Sequence, residues 1–484
     1  MNQSPFLDIA PIPNTKNGHR QYVLGSEFVE FEPSTQTPNL CEFIITGNEP
    51  LAFGLASGFW VEGTFQKYDG TSKTWKRIET ADATNVVVQQ NWFDFLIEQF
   101  NIYHYNRNIN PNDVPGNIDP YVNAYAYAHM DKQTRKLLCV NKCSPGLAVT
   151  TNAADWKVGG SAWTEYSKEI FGKDKIKFRW VPLFQWPFHQ ATNYLVDPLV
   201  ASTAVPIHLL EKLIMRVHFR ADFSIIFKQI TPGAGAEAVK YRFDMTKFTL
   251  FAEELRMSPT HGRNFFTTRS ALPYPGLTRQ AICENINAGV FSHRLTIPSI
   301  EFPEGIMIFC VHKSVITGAS KFQDIAAEGM FMQHNIKSVD FMFNGLPFFT
   351  KRPAIGQLDN DIIKLVSFRD HLFAPPLGLI HDTDLIEFEQ DAGLLAYPKV
   401  HLNFTQAGRN SRIQAVHDGS FAANRVGDLV TILTFEGPGA PPDCSFIAMA
   451  YYSDVNLLLQ TGQGKNGGKG FIAQWNSTKS INSY

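Results

Sequence analysis

Apolar and polar side chains alternate at every second position in many parts of this chain of 484 residues, and this period limits what the chain can fold into. Ile176-Lys177-Phe178-Arg179-Trp180 alternates strictly, and residues 215–220 and 399–404 follow the same pattern. Such alternation predicts a β-strand with one face in a core and the other facing solvent or a partner. A protein built mainly from such segments is predicted to be all-β.

Three other runs, at 306–311, 429–435 and 446–452, are apolar on both faces. They predict central strands of a sandwich that are covered on both sides. Turn sequences such as Asp69-Gly70 and Asn344-Gly345 separate the predicted strands. Together, these patterns favour stacked β-sheets over isolated hairpins.

The connections between the predicted strands are long, and helical patterns are few. Residues 104–120 and 141–173 are too long for tight hairpins, and loops of that length usually carry function or form an interface. Residues 121–138 are rich in alanine and end in basic residues, which predicts a helix. Pro206 favours a helix start and a second helix over 206–214. The sequence therefore predicts β-sandwiches of the jelly-roll kind, with short helices in long loops.

The two halves of the chain share a similar segment. Residues 100–106 and 339–345 are both aromatic-rich predicted strands that end in an Asn turn, about half the chain length apart. Residues 229–235, which contain Pro232-Gly233, are the best candidate linker. The predicted organisation is an N-terminal arm at 1–35, a first jelly roll at 36–233, a second jelly roll at 234–460 and a flexible C-terminal tail at 461–484.

Charge and composition exclude one class of protein and leave two open. Lys and Arg number 43 against 45 Asp and Glu, and the net charge of −2 excludes a protein whose main task is to bind nucleic acid. Only 18% of residues are charged, while phenylalanine occurs 39 times, so the chain has more apolar surface than one monomer core needs. A large all-β monomer and an obligate oligomer with apolar interfaces both fit this composition.

The cysteines and the N-terminus indicate the cellular compartment in which the chain is expected to fold. Six cysteines are too sparse for a disulfide framework in a chain of this length, so free thiols in a reducing compartment are expected. Cys139 and Cys143 are four residues apart without a second Cys or His pair nearby, so no zinc site is predicted. Neither a signal peptide nor an apolar run long enough to span a membrane is predicted.

Two segments with the composition of binding sites lack the remaining parts of such sites. Residues 462–470 (GQGKNGGKG) are glycine-rich but do not match the phosphate-loop pattern, so they are interpreted as part of a flexible tail. His381-Asp382-Thr383-Asp384 could supply metal ligands or an acid–base pair, but no other group lies at ligand spacing. A solvated loop is the favoured interpretation of this segment.

Two side-chain clusters have a ligand-binding and a structural interpretation. Arg216, His218 and Arg220 form a cationic strand face that could meet phosphate, although pairing with acidic neighbours is favoured. An aromatic cluster could stack sugars or bases, although packing at an interface is favoured. Its members are Phe178, Trp180, Phe184, Trp186 and Phe188.

Known hydrolase signatures are absent from the sequence: neither a Gly-x-Ser-x-Gly elbow nor a His-Glu-x-x-His motif occurs. A triad assembled in space from the 14 histidines stays open. We predict no catalytic residues, no cofactor-binding residues and no metal ligands, and therefore a protein that is not an enzyme.

Several segments, taken in order, resemble those of a known virus family. In the first half they are 91–96 with 102–106, the helix with spaced tyrosines at 121–138, and 183–205 running into closing strands at 213–227. In the second half they are an opening strand at 247–259, Tyr274-Pro275, 295–298, 341–345 and 427–452. This ordered set resembles the double jelly-roll major capsid proteins of adintoviruses, polinton-like viruses and virophages. Residues 316–331 lack the Asn-Pro-Phe element of that family.

The resemblance implies two upright jelly rolls per chain and a homotrimer that forms a pseudo-hexagonal capsomer of an icosahedral double-stranded DNA virus. The implied partners are neighbouring capsomers and the penton and minor capsid proteins, and an internal membrane stays open. The implied location is the virion, after synthesis in the host cell. Because the chain has no basic arm to neutralise phosphate, strong direct nucleic-acid binding is not expected. A carbohydrate-binding or carbohydrate-active jelly-roll protein and a minor vertex protein are the alternatives.

Overall fold

The structure, a computed structural model, describes the part of the chain in which both sandwiches can be traced. The described residues are 23–53, 57–88, 92–109, 112–113, 161–182, 203–205, 207–230, 240–257, 271–301, 305–313, 336–347, 400–403, 426–440, 442–463 and 469–475.

Strands dominate the described residues. Up to residue 257 they are β1 (Val23–Phe31), β2 (Thr35–Thr37), β3 (Leu40–Ile45), β4 (Leu51–Phe53), β5 (Gly58–Asp69), β6 (Thr74–Arg77), β7 (Val86–Val88), β8 (Ile97–His104), β9 (Arg107–Asn108), β10 (Asn112–Asp113), β11 (Ile176–Trp180), β12 (Thr203–Val205), β13 (Leu213–Phe219), β14 (Phe227–Gln229) and β15 (Tyr241–Met257). After residue 270 they are β16 (Ala271–Ile286), β17 (Ser292–Glu301), β18 (Gly305–His312), β19 (Ile336–Phe343), β20 (Leu346–Pro347), β21 (Val400–Asn403), β22 (Val426–Phe435), β23 (Cys444–Gln463) and β24 (Lys469–Trp475).

Short helices lie in the connections of the first half. They are α1 (Trp92–Leu96), α2 (Ser161–Phe171) and α3 (Ile207–Leu210), with 3-10 turns at Thr80–Thr84 and Phe223–Ile226. The first of these leads directly into β8, so the two segments at 91–96 and 102–106 form one helix–strand unit. The helix predicted over 206–214 is shorter than expected because Leu213 already begins β13. The helix predicted at 121–138 lies outside the described residues.

Both halves of the chain form a sandwich with the same strand order. In the large sheet of the first sandwich the order is β1-β15-β5-β11, and in that of the second it is β16-β23-β18-β21. In the small sheets the orders are β3-β13-β8-β9 and β17-β22-β19-β20. In the large sheets the first strand of each sandwich therefore pairs with the strand that closes it, β1 with β15 and β16 with β23, as in a jelly roll. The predicted all-β double jelly roll is confirmed.

Additional strands extend these sheets. β4 and β12 extend the large sheet of the first sandwich, and β6 pairs with β5. β24 pairs with β23 of the second sandwich. β10, which comes from the first half of the chain, pairs in parallel with β16 and so joins the large sheet of the second sandwich. The two halves are therefore linked by a shared sheet.

The core of the first sandwich follows the period-two pattern of its strands. In β13, Leu213, Met215, Val217 and Phe219 are buried while the residues between them are half-buried. Aromatic rings fill the centre: Phe59 and Phe248 stack with their centroids 4.8 Å apart and their planes 8° from parallel. Aromatic pairs of this kind add to the stabilisation from burial alone.

The first part of β23, up to Ala450, is buried on both faces because the second sandwich packs against the first. Phe446 and Ala448 belong to the core of the second sandwich. Ile447 and Met449 point the other way and belong, with Val311 of β18, to the continuous core of the first sandwich. In the two-sided apolar runs predicted at 306–311 and 446–452, the side chains that the structure describes therefore divide between the two cores, with Ile308 in the second and Val311 in the first.

Strand pairing differs from three of the predicted segment boundaries. Residues 247–257, expected to open the second jelly roll, close the first: β15 pairs with β5 and with β1. The expected arm at 1–35 contains β1, and the expected flexible tail from 461 contains β24. The physical reason is that alternation shows which face of a strand is buried but not which sheet edge it joins. The described strands change sandwich between Met257 and Ala271, not at the predicted linker.

Candidate assembly surfaces

Three aromatic rings lie together on the outer face of the large sheet of the first sandwich. Phe251 of β15 contacts Trp60 of β5 and Phe28 of β1, with centroid distances of 6.4 and 6.3 Å. The guanidinium of Arg179 lies 5.7 Å from the Phe251 centroid. Phe28 is 60% exposed. We call Phe28, Trp60 and Phe251 the outer aromatic patch.

Ion pairs surround the outer aromatic patch. Lys177 Nζ lies 3.1 Å from Glu62 Oε1, and Lys247 Nζ lies 3.6 Å from Glu30 Oε2. In the pairing of β1 with β15, Glu254 lies opposite Glu27, and its pKa is raised by partial burial and further by Glu27 and Glu49. An apolar centre within a charged rim is the anatomy of a protein–protein interface.

The outer face of the small sheet of the first sandwich carries the cationic residues singled out in the sequence. Arg216 Nε donates to Glu42 Oε2 at 2.6 Å, and its guanidinium lies 5.0 Å from the Tyr103 ring centroid. The bond to Glu42 raises the pKa of Arg216. Arg220 Nε donates to the carbonyl oxygen of Phe95 at 2.9 Å. Pairing with an acidic neighbour is therefore confirmed for Arg216, and its charge is compensated within the chain.

At one end of each sandwich, a two-residue turn contacts the strand that follows the long connection. The turn Tyr105-Asn106 joins β8 to β9, and the Tyr105 hydroxyl donates to Glu211 Oε2 at 2.8 Å, just before β13. The turn Asn344-Gly345 joins β19 to β20, and Asn344 Oδ1 accepts from the backbone N–H of Asp428 in β22 at 3.1 Å. The repeated segments at 100–106 and 339–345 are therefore equivalent strands with equivalent turn contacts.

The predicted aromatic cluster does not form a stacking surface in its described part. Phe178 and Trp180 are both buried in the first core, where Phe178 contacts Trp92 with a centroid distance of 5.4 Å. Buried rings cannot stack on a ligand in solution. Phe184, Trp186 and Phe188 lie outside the described residues.

The segment at 462–470 runs from the end of β23 into β24, with Gln463 paired to Lys469. A strand follows the glycines here, whereas a phosphate loop requires a helix. The segment 381–384 lies outside the described residues.

Three cysteines, Cys41, Cys283 and Cys444, are free thiols. Cys41 and Cys444 are buried and Cys283 is half-buried. Burial raises the pKa of Cys41 to about 12, and burial together with Glu284 raises that of Cys283 to about 12. Such thiols behave as small apolar side chains. Cys139 and Cys143 fall outside the described part of the chain.

The described residues show neither a metal-binding cluster nor a membrane-spanning helix. Within those ranges, no three His, Cys, Asp or Glu side chains come together in a way that could hold a metal ion. No helix in the same ranges is both long enough and apolar enough to cross a membrane.

Sequence reasoning missed the outer aromatic patch and the turn contacts. The patch joins three strands that are distant in sequence, so it becomes visible only once the pairing of β1, β15 and β5 is known. The one available signal is that Trp60 lies between Phe59 and Val61, and therefore points away from the core that those two residues share.

Comparison with known proteins supports the fold. No protein-family model matches the chain, and no curated protein sequence matches it. A chain in the cryo-EM structure of the Sputnik virophage matches with a TM-score of 0.52 and 9% identity, over 98% of this chain and 94% of that one. A chain in the PBCV-1 virus capsid model (TM-score 0.48, 11% identity, 94% and 98% coverage) and the mavirus major capsid protein (0.45, 10%, 94% and 92%) are also similar. The first of these matches extends over both jelly rolls.

Proposed function

We propose that this chain is a structural major capsid protein, which forms trimeric, pseudo-hexagonal capsomers of an icosahedral double-stranded DNA virus. The observation that carries the proposal is the repeated jelly-roll order in one chain, β1-β15-β5-β11 and β16-β23-β18-β21, packed through one continuous core. The same fold occurs in a chain of the Sputnik virophage structure.

Two similar sandwiches in one chain are what a pseudo-hexagonal trimer requires. Two sandwiches with the same strand order are held together by Val311, Ile447 and Met449, which are buried in the first core. Three copies of such a pair give six similar units around a threefold axis, which is a hexagon in outline. Neighbouring capsomers and the penton and minor capsid proteins are then the partners, and the virion is the location.

The surface of the first sandwich has exposed apolar side chains of the kind that form subunit contacts. The outer aromatic patch leaves Phe28 exposed, and Leu24 of the same strand is 68% exposed. Clustered exposed apolar side chains are typical of surfaces that are buried on association. Burial of apolar area contributes about 25 cal/mol per Å², and this contribution is not screened by salt.

The charge of the chain limits contact with the genome. A net charge of −2 supplies little of the phosphate neutralisation on which nucleic-acid affinity depends. We therefore propose no strong direct nucleic-acid binding, and a structural role without catalysis.

The test is the mass of the purified full chain by size-exclusion chromatography with light scattering. We expect a stable trimer of about 163 kDa, three times the chain mass of 54.4 kDa. The trimer should persist at 1 M NaCl, where the Debye length is only about 3 Å. A monomer would favour a carbohydrate-binding protein and a pentamer a vertex protein, and either result would overturn the proposal.

Hexagonal outlines in negative-stain images of the same trimer peak complete the test. A trimer with a compact, non-hexagonal outline would contradict the tile while leaving the oligomeric state intact.

A further inference from the structure

A buried histidine closes one end of the first sandwich. His104, the last residue of β8, falls on the same strand face as Ile102 and Phe100, which point into the core. It is only 8% exposed, and its Nε2 lies 3.2 Å from the carbonyl oxygen of Leu210 at the end of α3. Since a carbonyl oxygen can only accept, Nε2 carries the hydrogen.

The backbone held by His104 is in an unusual conformation. Leu210 is followed by Glu211, which has a φ of 68° although it is not glycine, and Lys212 N–H donates back to Leu210 O at 2.8 Å. Tyr105, next to His104, has a φ of 53°. Two neighbouring side chains of one turn, His104 and Tyr105, thus bind two neighbouring residues of the connection before β13. Positive φ values outside glycine persist only where the surroundings hold them.

Charged and titratable groups approach His104 from both elements. Glu211 and Lys212 come from the connection before β13, and Tyr105 and Arg107 come from the β8–β9 hairpin, in which Arg107 is the register partner of His104. Burial disfavours the imidazolium, whereas Glu211 and the bond to Leu210 favour it, and burial is the largest effect. At neutral pH the ring is therefore uncharged, with Nδ1 unprotonated.

We propose that His104 is an acid-sensitive latch, whose protonation releases the Leu210–Lys212 connection from the Tyr105 turn and opens this end of the first sandwich. Protonation adds a second donor at Nδ1 and places a positive charge on the core side of β8. A buried charge of this kind is relieved when the ring moves into water. The turn and the connection then lose the contact that holds their two positive-φ residues.

The second sandwich lacks a titratable group at the equivalent position. Phe343 immediately precedes the turn Asn344-Gly345, as His104 precedes Tyr105-Asn106. Phe343 packs partly against the second core. Acid is therefore expected to open this turn in the first jelly roll and not the equivalent turn in the second. The latch lies within one chain, so it does not depend on the proposed capsid function.

Hydrogen–deuterium exchange of the full-length protein tests the latch. After correction for intrinsic rates, the peptide containing Leu210–Lys212 should lose protection between pH 7 and pH 5, by a factor of ten for each unit by which folding lowers the pKa of His104. The His104→Phe variant copies the side chain of the second sandwich and also lacks the bond to Leu210, so its protection at pH 7 can differ from the wild type but should not change between pH 7 and pH 5. The matched control, His218→Gln, changes a half-buried histidine on the outer face of β13 and should behave like the wild type.

Two results would overturn the latch: equal protection of the wild type at both pH values, or the same acid-induced loss in His104→Phe. If that variant fails to fold, His104→Gln keeps a donor without titrating and should retain protection in acid. The exchange rate of the imidazole C2 hydrogen, followed against pH in the wild type, measures the pKa of His104 directly. It should report a pKa for His104 below the ordinary value of 6.5. A value at or above 6.5 would contradict the proposal.

Discussion

The indole Nε1 of Trp180 donates a hydrogen bond to Asp94 Oδ1 at 2.8 Å, and both side chains are buried. The bond joins β11, at the edge of the large sheet of the first sandwich, to α1, which leads into the small sheet. Trp180 also packs against Phe93 of α1, with a centroid distance of 5.6 Å. A polar contact within an aromatic core thus fixes the position of one sheet relative to the other.

Replacing Asp94 tests this contact. Asp94→Ala leaves the buried indole N–H without this acceptor and should lower the free energy of unfolding by about 1–3 kcal/mol. Asp94→Asn keeps an oxygen acceptor and should cost less. Urea denaturation followed by tryptophan fluorescence measures both values. Glu98→Ala, on the exposed side of β8, serves as the control, and an Asp94→Ala protein as stable as this control would refute the expectation.

Two glycines on the β5–β6 hairpin differ in the space around them. A Cβ at Gly63 would overlap the Phe243 ring and lie 2.7 Å from the backbone oxygen of Asp244, whereas a Cβ at Gly70 meets nothing within 4 Å. Gly63→Ala should therefore destabilise the protein by about 1–3 kcal/mol through overpacking, while Gly70→Ala should stay near the wild type. Thermal unfolding compares the two. Equal melting temperatures would show that β5 and β15 can separate without cost.

The contact between the sandwiches depends on buried side chains of β23. Ile447→Ala removes three carbons from the core that both sandwiches share and should cost about 2–5 kcal/mol. Val426→Ala, at an exposed site of β22 away from the outer aromatic patch, should change stability by less than about 0.5 kcal/mol. Calorimetry should also show the single transition of the wild type broadening or splitting in Ile447→Ala. An unchanged, sharp transition at the wild-type temperature would mean that Ile447 does not couple the two units.

Strand existence could be predicted from the sequence because it depends on local alternation. In β13, each second residue from Leu213 to Phe219 is apolar, and these are the buried ones. The equivalence of residues 100–106 and 339–345 could also be predicted, since both end in a tight turn that contains Asn. In the structure these turns have a positive φ at Tyr105 and at Asn344. The local sequence pattern is thus sufficient to predict both the fold class and the duplication.

Strand partnership could not be predicted, because it depends on residues far away in the chain. The alternation of 247–257 is the same whether that segment opens the second sandwich or closes the first. Its pairing with β5 and β1 decides the matter. The acceptor for Trp180 is equally hidden: nothing near residue 180 in the sequence marks Asp94 as its partner. The candidate surfaces likewise join side chains from distant strands.

Because two thiols are buried, the protein is expected to become less stable as the pH rises into the alkaline range. Burial raises the pKa of Cys41 to about 12, and burial together with Glu284 raises that of Cys283 to about 12, above the ordinary range of a thiol. The folded protein keeps both protons where the unfolded chain releases them, so the unfolded state is favoured as the pH rises from about 9 towards 12. The free energy of unfolding should therefore fall over this range. In the Cys41→Ala, Cys283→Ala double variant, which has no thiol at either site, it should fall less steeply.

Alkylation with iodoacetamide at pH 8.5, followed by mass spectrometry of the peptides, checks the same groups directly. Because the thiolate is the reactive form, Cys41 and Cys283 should stay unlabelled in the native protein and become labelled in urea. Cys41, fully buried on the inner face of β3, should be the slower of the two, since Cys283 is half-buried. Rapid native labelling of Cys41 would show that the inner face of β3 opens to solvent far more often than the packing of Phe43 and Ile45 beside it allows.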